Sequence, residues 1–270
     1  MADRSRASWV AAAAVVLLAG YAILAPIVHP IDESITDFAA GGQGPGAQHW
    51  FGTDDSGRDL LTLVAKGMRV SLVIALATAV ISTLVGLVVG ITAGATGGWW
   101  DRISMRVADA MTAVPSLLLS LLIVSLFRGS LIAIVVSLVL THWTATARVV
   151  RAEVLSVRKA EYVEVARLHG LTATRIARVH FLPVAAGQAR IAGVLLIAHA
   201  VWHESTLSFL GVGLPPHQAS LGTLLADSGQ ALLLGHWWQL VFPAGAIVAV
   251  TLALATLARS LAVPRKETIA

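Results

Sequence analysis

The chain has 270 residues, 57% hydrophobic and 13% charged, with no cysteine and a mean hydropathy of +0.80. Soluble domains carry about 25% charged residues, so half the usual polar covering is missing. This argues against a soluble enzyme, a disordered scaffold, a disulfide-stapled domain and a thiolate metal site. The net charge of +4 and pI ≈ 10.1 do not by themselves indicate nucleic acid, because the placement of the charges decides. All the basic residues except Lys66, Lys159 and Lys266 are arginine, which together with abundant alanine suggests a GC-rich bacterial genome.

A bilayer core takes about 20 mostly apolar residues per helix. Six stretches qualify, at residues 9–28, 70–94, 107–127, 131–147, 191–210 and 240–262. Arg4 and Arg6 precede the first as in a signal peptide, but its apolar run is long for one and Pro26 and Val28 make a poor cleavage context. It therefore reads as a span. An outer loop, 29–69, contains the Gly/Gln/Pro stretch 41–48. The third and fourth spans are joined only by Arg128, Gly129 and Ser130, which predicts a tight hairpin. With both termini on one side, 15 of the 19 basic residues share that side. The other side holds Arg58, Lys66, Arg69 and Arg128, with Asp32, Glu33, Asp37, Asp54, Asp55, Asp59 and Asp227. The positive-inside rule then places both termini in the cytoplasm of a multi-pass plasma (cytoplasmic) membrane protein. Its basic face meets anionic lipid or a cytoplasmic partner, and no nucleic acid is expected. Trp99, Trp100, Trp143, Trp237 and Trp238 fall at span ends, as an aromatic belt does. The reading is one all-α transmembrane domain, 1–270, with six transmembrane helices.

The one large cytoplasmic loop runs from 148 to 190. Residues 151–169 are rich in helix formers, and Gly170 stands where a helix stops in the left-handed conformation. Thr172 or Thr174 can cap a second helix, expected to run through Ile176 and Val179 until Pro183. Such a cytoplasmic helix–turn–helix knob is shaped to dock into a groove on another protein, although a plain basic loop would also fix topology.

The residues of this loop carry a resemblance. Glu164-Val165-Ala166, Gly170 six residues after the Glu, and Leu182-Pro183 twelve and thirteen after the Gly are similar to the "EAA" loop of ATP-binding cassette (ABC) importer permeases, with Val165 in place of the first alanine. Phe51-Gly52-Thr53-Asp54-Asp55-Ser56-Gly57-Arg58-Asp59, followed by Gly67, Arg69, Val70 and Ser71, resembles the G-T-D-x-x-G-R-D segment of the peptide/nickel permease family, dipeptide permease C type. Gly97-Gly98-Trp99-Trp100-Asp101 with Arg106, Asp109 and Pro115 is similar to its second cytoplasmic turn and third span. Glu204 to Gly213, with Pro215 and Pro216, resembles its E-x-x-L-S-F-L-G-x-G segment.

The resemblance implies a type I ABC importer permease fold, and a permease subunit for dipeptides or oligopeptides that forms half of a translocation pathway. It implies a homologous second permease subunit, P-loop ATPase subunits on the loop and an extracytoplasmic substrate-binding protein. No cofactor is expected on the chain itself: it has no G-x-x-x-x-G-K-[ST], so ATP would be bound by partner subunits. Glu161, Glu164, Ala166, Gly170, Leu182 and Pro183 form the expected ATPase-coupling loop, with Glu161, Glu164 and Arg167 able to pair with charges on the ATPase.

His203, Glu204, Ser205 and Ser208 are candidates for the translocation path or a gate, since ionisable groups within spans often mark function. His199 and His203, at i and i+4, have a spacing that can share a metal, but H-E-x-x-H is absent and no metal is expected. Residues 53–59 lack calcium-loop spacing and read as turns, with Arg58 paired to an Asp. Asp109 and Arg106 are expected at the cytoplasmic end of the third span. Nickel or another small solute is the alternative cargo. A lone secondary transporter is disfavoured by span centres nearly free of charge, and an intramembrane hydrolase built on His199, His203 and Glu204 lacks its motif.

Overall fold

In the computed structural model, residues 2–29, 37–215 and 218–262 are described. The side chains of Arg4 and Arg6, together with Asp32, Glu33, Arg265, Lys266 and Pro216 of the fourth motif, lie outside the described residues. Among the described residues ten α-helices follow one another: α1 (Ala2–Val28), α2 (Leu60–Thr96), α3 (Gly98–Ala113), α4 (Ser116–Leu126), α5 (Leu131–Arg158), α6 (Glu161–Leu168), α7 (Ala173–Ile176), α8 (Leu182–Phe209), α9 (Leu221–Leu233) and α10 (Trp238–Ala262). Among the described residues five continuous helical stretches are long and apolar enough to cross a bilayer, and α3 with α4 makes six if that bent pair counts as one span. Large apolar side chains such as Leu17, Leu84 and Leu252 face outward, as lipid-facing helices require.

α2 is the central element and packs most extensively on α5, then on α8. Its 37 residues span about 55 Å at 1.5 Å per residue, well beyond a hydrocarbon core of about 30 Å. It begins ten residues before the expected span, because Lys66 and Arg69 occupy its outer turns without breaking it. Asp59 caps it, accepting from the Thr62 amide at 3.0 Å. The outer loop therefore ends at Asp59 and not at residue 69.

The α2–α5 contact is set by Gly86, Gly90 and Gly94. A Cβ on Gly86 would lie 2.6 Å from the Thr146 Cβ, one on Gly90 2.7 Å from the Ala147 carbonyl oxygen, and one on Gly94 2.9 Å from the Val154 Cβ. Glycines four residues apart form one face, which lets two backbones approach as bulkier residues cannot.

The third expected span, 107–127, is not straight: α3 and α4 meet at 82°. Val114 and Pro115 are extended between them, since a residue before proline is pushed out of the α region and Pro115 cannot continue the ladder. The tight hairpin between α4 and α5 is present, with Gly129 at φ 75° and Ser130 capping α5. The fourth expected span, 131–147, extends to Arg158, because leaving the hydrocarbon does not end a helix. The fifth, 191–210, starts at Leu182. The second loop helix does not stop at Pro183: it widens into a π-turn, Ala177–Phe181, and runs on into α8. There the Leu182 amide bonds to the Ala177 carbonyl, and Pro183, which has no N–H to donate, follows directly in the first turn of α8, beside the widened turn. α9 was not anticipated; at 13 residues it is too short to read as a span.

Candidate coupling loop and buried carboxylate

At the arginine-rich pole, α6 ends in a Schellman motif. The Leu171 amide reaches back to the Ala166 carbonyl (3.1 Å) and the Gly170 amide to the Arg167 carbonyl (2.9 Å), with Gly170 at φ 77°. Those bonds satisfy the last carbonyls of the helix. Thr172 caps α7, accepting from the Arg175 amide. Val163 is the one fully buried residue of α6 and packs with Ile176 and Phe181 against Val150 and Val154 of α5 and Ala185 and Ala189 of α8. The expected helix–turn–helix is thus present and welded to the bases of two long helices.

Every residue expected to engage a partner here is exposed except Ala166, which is half-buried: Glu161, Glu164, Gly170, Leu182 and Pro183 all face outward. Leu168 is 82% exposed and borders a depression of ≈ 490 Å³ with Arg158, Lys159, Glu164 and Arg167. No atom lies within 4 Å of a Cβ built on Gly170.

At the opposite pole, the motif at residues 53–59 is a folded turn. Arg58 Nε donates to Asp54 Oδ2 at 2.6 Å, and Asp54 Oδ1 accepts the Ser56 and Arg58 amides. His49 pairs with Asp59 at 2.9 Å. Asp55 accepts from Gln239 Nε2 at 2.9 Å and meets His236 at 2.9 Å. Trp238, expected in the aromatic belt, is buried instead, with its indole N–H on the Thr53 carbonyl at 3.0 Å; Trp99, Trp100 and Trp237 are exposed. The carboxylates hold turns and staple the outer loop to α10.

Glu204 is fully buried and joins three helices. Ser71 of α2 donates to its Oε2 at 2.6 Å, and Ser208 donates to its Oε1 at 2.9 Å. Ser205 lies within 3.5 Å of Oε2. The Leu221 amide at the start of α9 donates to the Ser71 hydroxyl, and the Leu214 amide to that of Ser208. The N-terminus of α9 passes between α2 and α8: a Cβ on Gly222 would meet the Ser205 Cα at 2.7 Å, and one on Gly67 the Ser220 carbonyl carbon at 2.9 Å. The Ser71 hydroxyl thus bridges Glu204 and the first amide of α9, so Glu204 and α9 support one another. Glu204, Ser205 and Ser208, expected along a path, are thus turned into the bundle.

His203 faces elsewhere. Its ring meets His142 of α5 edge-on at 4.8 Å and 87°, and its Nδ1 has no hydrogen-bond partner among the described residues. His142 bonds the Leu138 carbonyl at 2.8 Å, and exposed His199 bonds the Leu195 carbonyl at 3.1 Å. His142 escaped the sequence reading because nothing in its own span links it to α8. Asp109, expected at a span end, pairs with Arg148 at 3.0 Å.

The chain resembles known proteins over most of its length. Residues 86–267 match the family described as "Binding-protein-dependent transport system inner membrane component". The oligopeptide transport system permease protein OppC of Bacillus subtilis (strain 168) is 37% identical over 233 residues, 86% of this chain and 76% of that protein. The dipeptide transport system permease protein DppC of the same organism is 36% identical, over 83% of this chain and 70% of its own length. OppC of Escherichia coli (strain K12) is 38% identical over 246 residues, 90% and 81% of the two chains. A solved amino acid ABC transporter shares the fold with a TM-score of 0.55 at 19% identity, over 73% of this chain and 91% of that one. The broken third span, the helix–turn–helix welded to α5 and α8, and these matches together place the chain in the family of binding-protein-dependent transport system inner membrane components, with a type I ABC importer permease fold.

Proposed function

We propose that the chain is the permease subunit of an ATP-driven importer of dipeptides or oligopeptides, with both termini in the cytoplasm, forming half of the translocation pathway beside a homologous permease. P-loop ATPases bind α6 and α7 and an extracytoplasmic protein delivers the substrate. The chain carries out no covalent chemistry and binds no cofactor; ATP is held by its partners. The observation that carries this reading is α6 itself, a helix with Val165 and Leu168 exposed at the arginine-rich pole, where water and not lipid would otherwise cover them. A helix with an apolar face fits a groove on a partner, and Glu161, Glu164 and Arg167 around it offer charges for register. His203, whose ring meets His142 of α5, is the member of the expected path that keeps a path-lining role in this reading. Glu204, Ser205 and Ser208 serve that path by shaping the helices that line it.

Motion follows from differential binding: ATPases that hold α6 differently when closed and open shift the population between outward- and inward-facing states. Gly170→Trp is expected to lower uptake at least tenfold while membrane insertion is unchanged. Gly170→Asn, which tolerates the left-handed conformation, retains most of the uptake. Normal transport in the Trp variant would remove the coupling role from this turn. Glu164→Arg is expected to weaken co-purification of the ATPase subunits, and unchanged recovery would place Glu164 outside the contact.

A further inference from the structure

Two arginines of α5 hold α3, and a third holds the end of α2. Arg151 grips Asp101 in the first turn of α3 with two bonds, Nε to Oδ1 at 2.5 Å and Nη2 to Oδ2 at 2.6 Å. Such a paired fork fixes orientation as well as distance, and an acid in a first helical turn is favoured there. Seven residues on, Arg158 Nη1 donates to the Gly94 carbonyl at 3.1 Å, tying off the last turn of α2. At the far end of α3, Arg148 Nη2 reaches Asp109 at 3.0 Å and the Thr112 hydroxyl at 2.9 Å.

These ties are unequal. The side chains of Asp109 and Arg148 are 62% and 41% exposed, and pairs so exposed contribute little. Those of Asp101 and Arg151 are 14% and 31% exposed, and their geometry is bidentate. α5 passes into α6 through Lys159 and Ala160 alone, and α6 is packed against the same base by Val163. On its other side α3 meets α4 only through the extended pair Val114–Pro115. A displacement of α6 therefore has a rigid route into α3 and a joint beyond it.

We propose that the Asp101–Arg151 pair is a positioning contact that carries movement of α6 through the base of α5 into α3, which swings against α4 about Val114–Pro115. This rests on the permease reading above. Asp101 touches no substrate and acts through α3. Removing the pair should leave ATP hydrolysis running while transport stops following it.

The experiment uses the complete transporter, purified with its partner chains and reconstituted in liposomes with its binding protein, and reads peptide uptake and ATP hydrolysis together. Asp101→Asn is expected to lower uptake per ATP at least tenfold while hydrolysis changes less than twofold. The exchanged pair, Asp101→Arg with Arg151→Asp, is expected to recover at least a third of the ratio. An unchanged ratio in Asp101→Asn, a parallel fall of both activities, or no recovery in the exchanged pair would each overturn the proposal. If Asp101→Asn does not assemble, Arg151→Lys decides, since it keeps the charge and loses the fork. An intermediate ratio supports the contact and a wild-type ratio overturns it. Absence of ATP-driven uptake in the wild type would overturn the permease reading itself, which separates the two failures.

Discussion

Gly90→Leu is expected to yield no monodisperse folded protein in detergent, whereas Gly245→Leu behaves as the wild type. A Cβ on Gly90 alone would stand 2.7 Å from the Ala147 carbonyl oxygen and 2.7 Å from the Val150 Cβ. The first of these is backbone and cannot rotate away. α2 and α5 must then separate, and Gly86 and Gly94 lose their close contacts with them. Overpacking by a methyl group costs about 1–3 kcal/mol, so Gly90→Ala should fold with a lowered thermal midpoint. A whole isobutyl group forces the largest interface of the bundle open, against a total stability of about 5–15 kcal/mol. Gly245 has nothing of another element within 4 Å of a built Cβ, so the same substitution there meets no neighbouring helix of this chain. Size-exclusion profiles and thermal midpoints of the three variants check this, and a well-folded Gly90→Leu would show that the glycine face is not what sets the helix separation.

Glu204→Ala is expected to loosen α9 and to cost about 2–4 kcal/mol, at the level of one or two buried polar groups left without partners at about 1–3 kcal/mol each. Glu204→Gln, which keeps the shape and one accepting oxygen, should cost about half as much. The Ser71 and Ser208 hydroxyls can turn back to carbonyls of their own helices, which keeps the loss from being larger. The Leu214 and Leu221 amides would then lose oriented acceptors. Because the chain has no cysteine, Leu224→Cys supplies a single reporter at a buried site of α9. It should resist a membrane-impermeant maleimide in the parent and react in the Glu204→Ala background. Equal protection in both would mean that Glu204 does not hold α9 in place.

Much of this architecture can be read from residue order. The apolar stretches count six crossings, and Gly170 with Thr172 foretells the turn between α6 and α7, because helix stops and caps are local chemistry. The Asp54–Arg58 turn is local for the same reason. What was missed depends on partners distant along the chain or on helices that ignore the water boundary. The spacing of Gly86, Gly90 and Gly94 is plain in the sequence, but nothing there names α5 as the helix that fills it. Ser71 and Glu204 are 133 residues apart, so from residue order Glu204, Ser205 and Ser208 read as candidates for a path or gate and Ser71 does not join them. Pro115 was visible too, yet proline inside an apolar run permits a kink as well as a break, and only packing of α3 on α5 decides for 82°. The ends of α2 and α5 were drawn where the hydropathy falls, although a helix ends where its bonds and caps end.

The separation of Ser71 from Glu204 has a consequence for the order in which the protein is made. At about 5–20 residues per second, Ser71 is synthesised about 7–27 s before its carboxylate partner. α2 is apolar enough to reside in lipid alone through that interval, with its serine hydroxyl turned onto its own backbone and its glycine face uncovered until α5 arrives. The seat of α9 is therefore assembled late, by the last third of the chain, and a nascent chain arrested before residue 204 would present a stable helix pair with an unfinished polar socket.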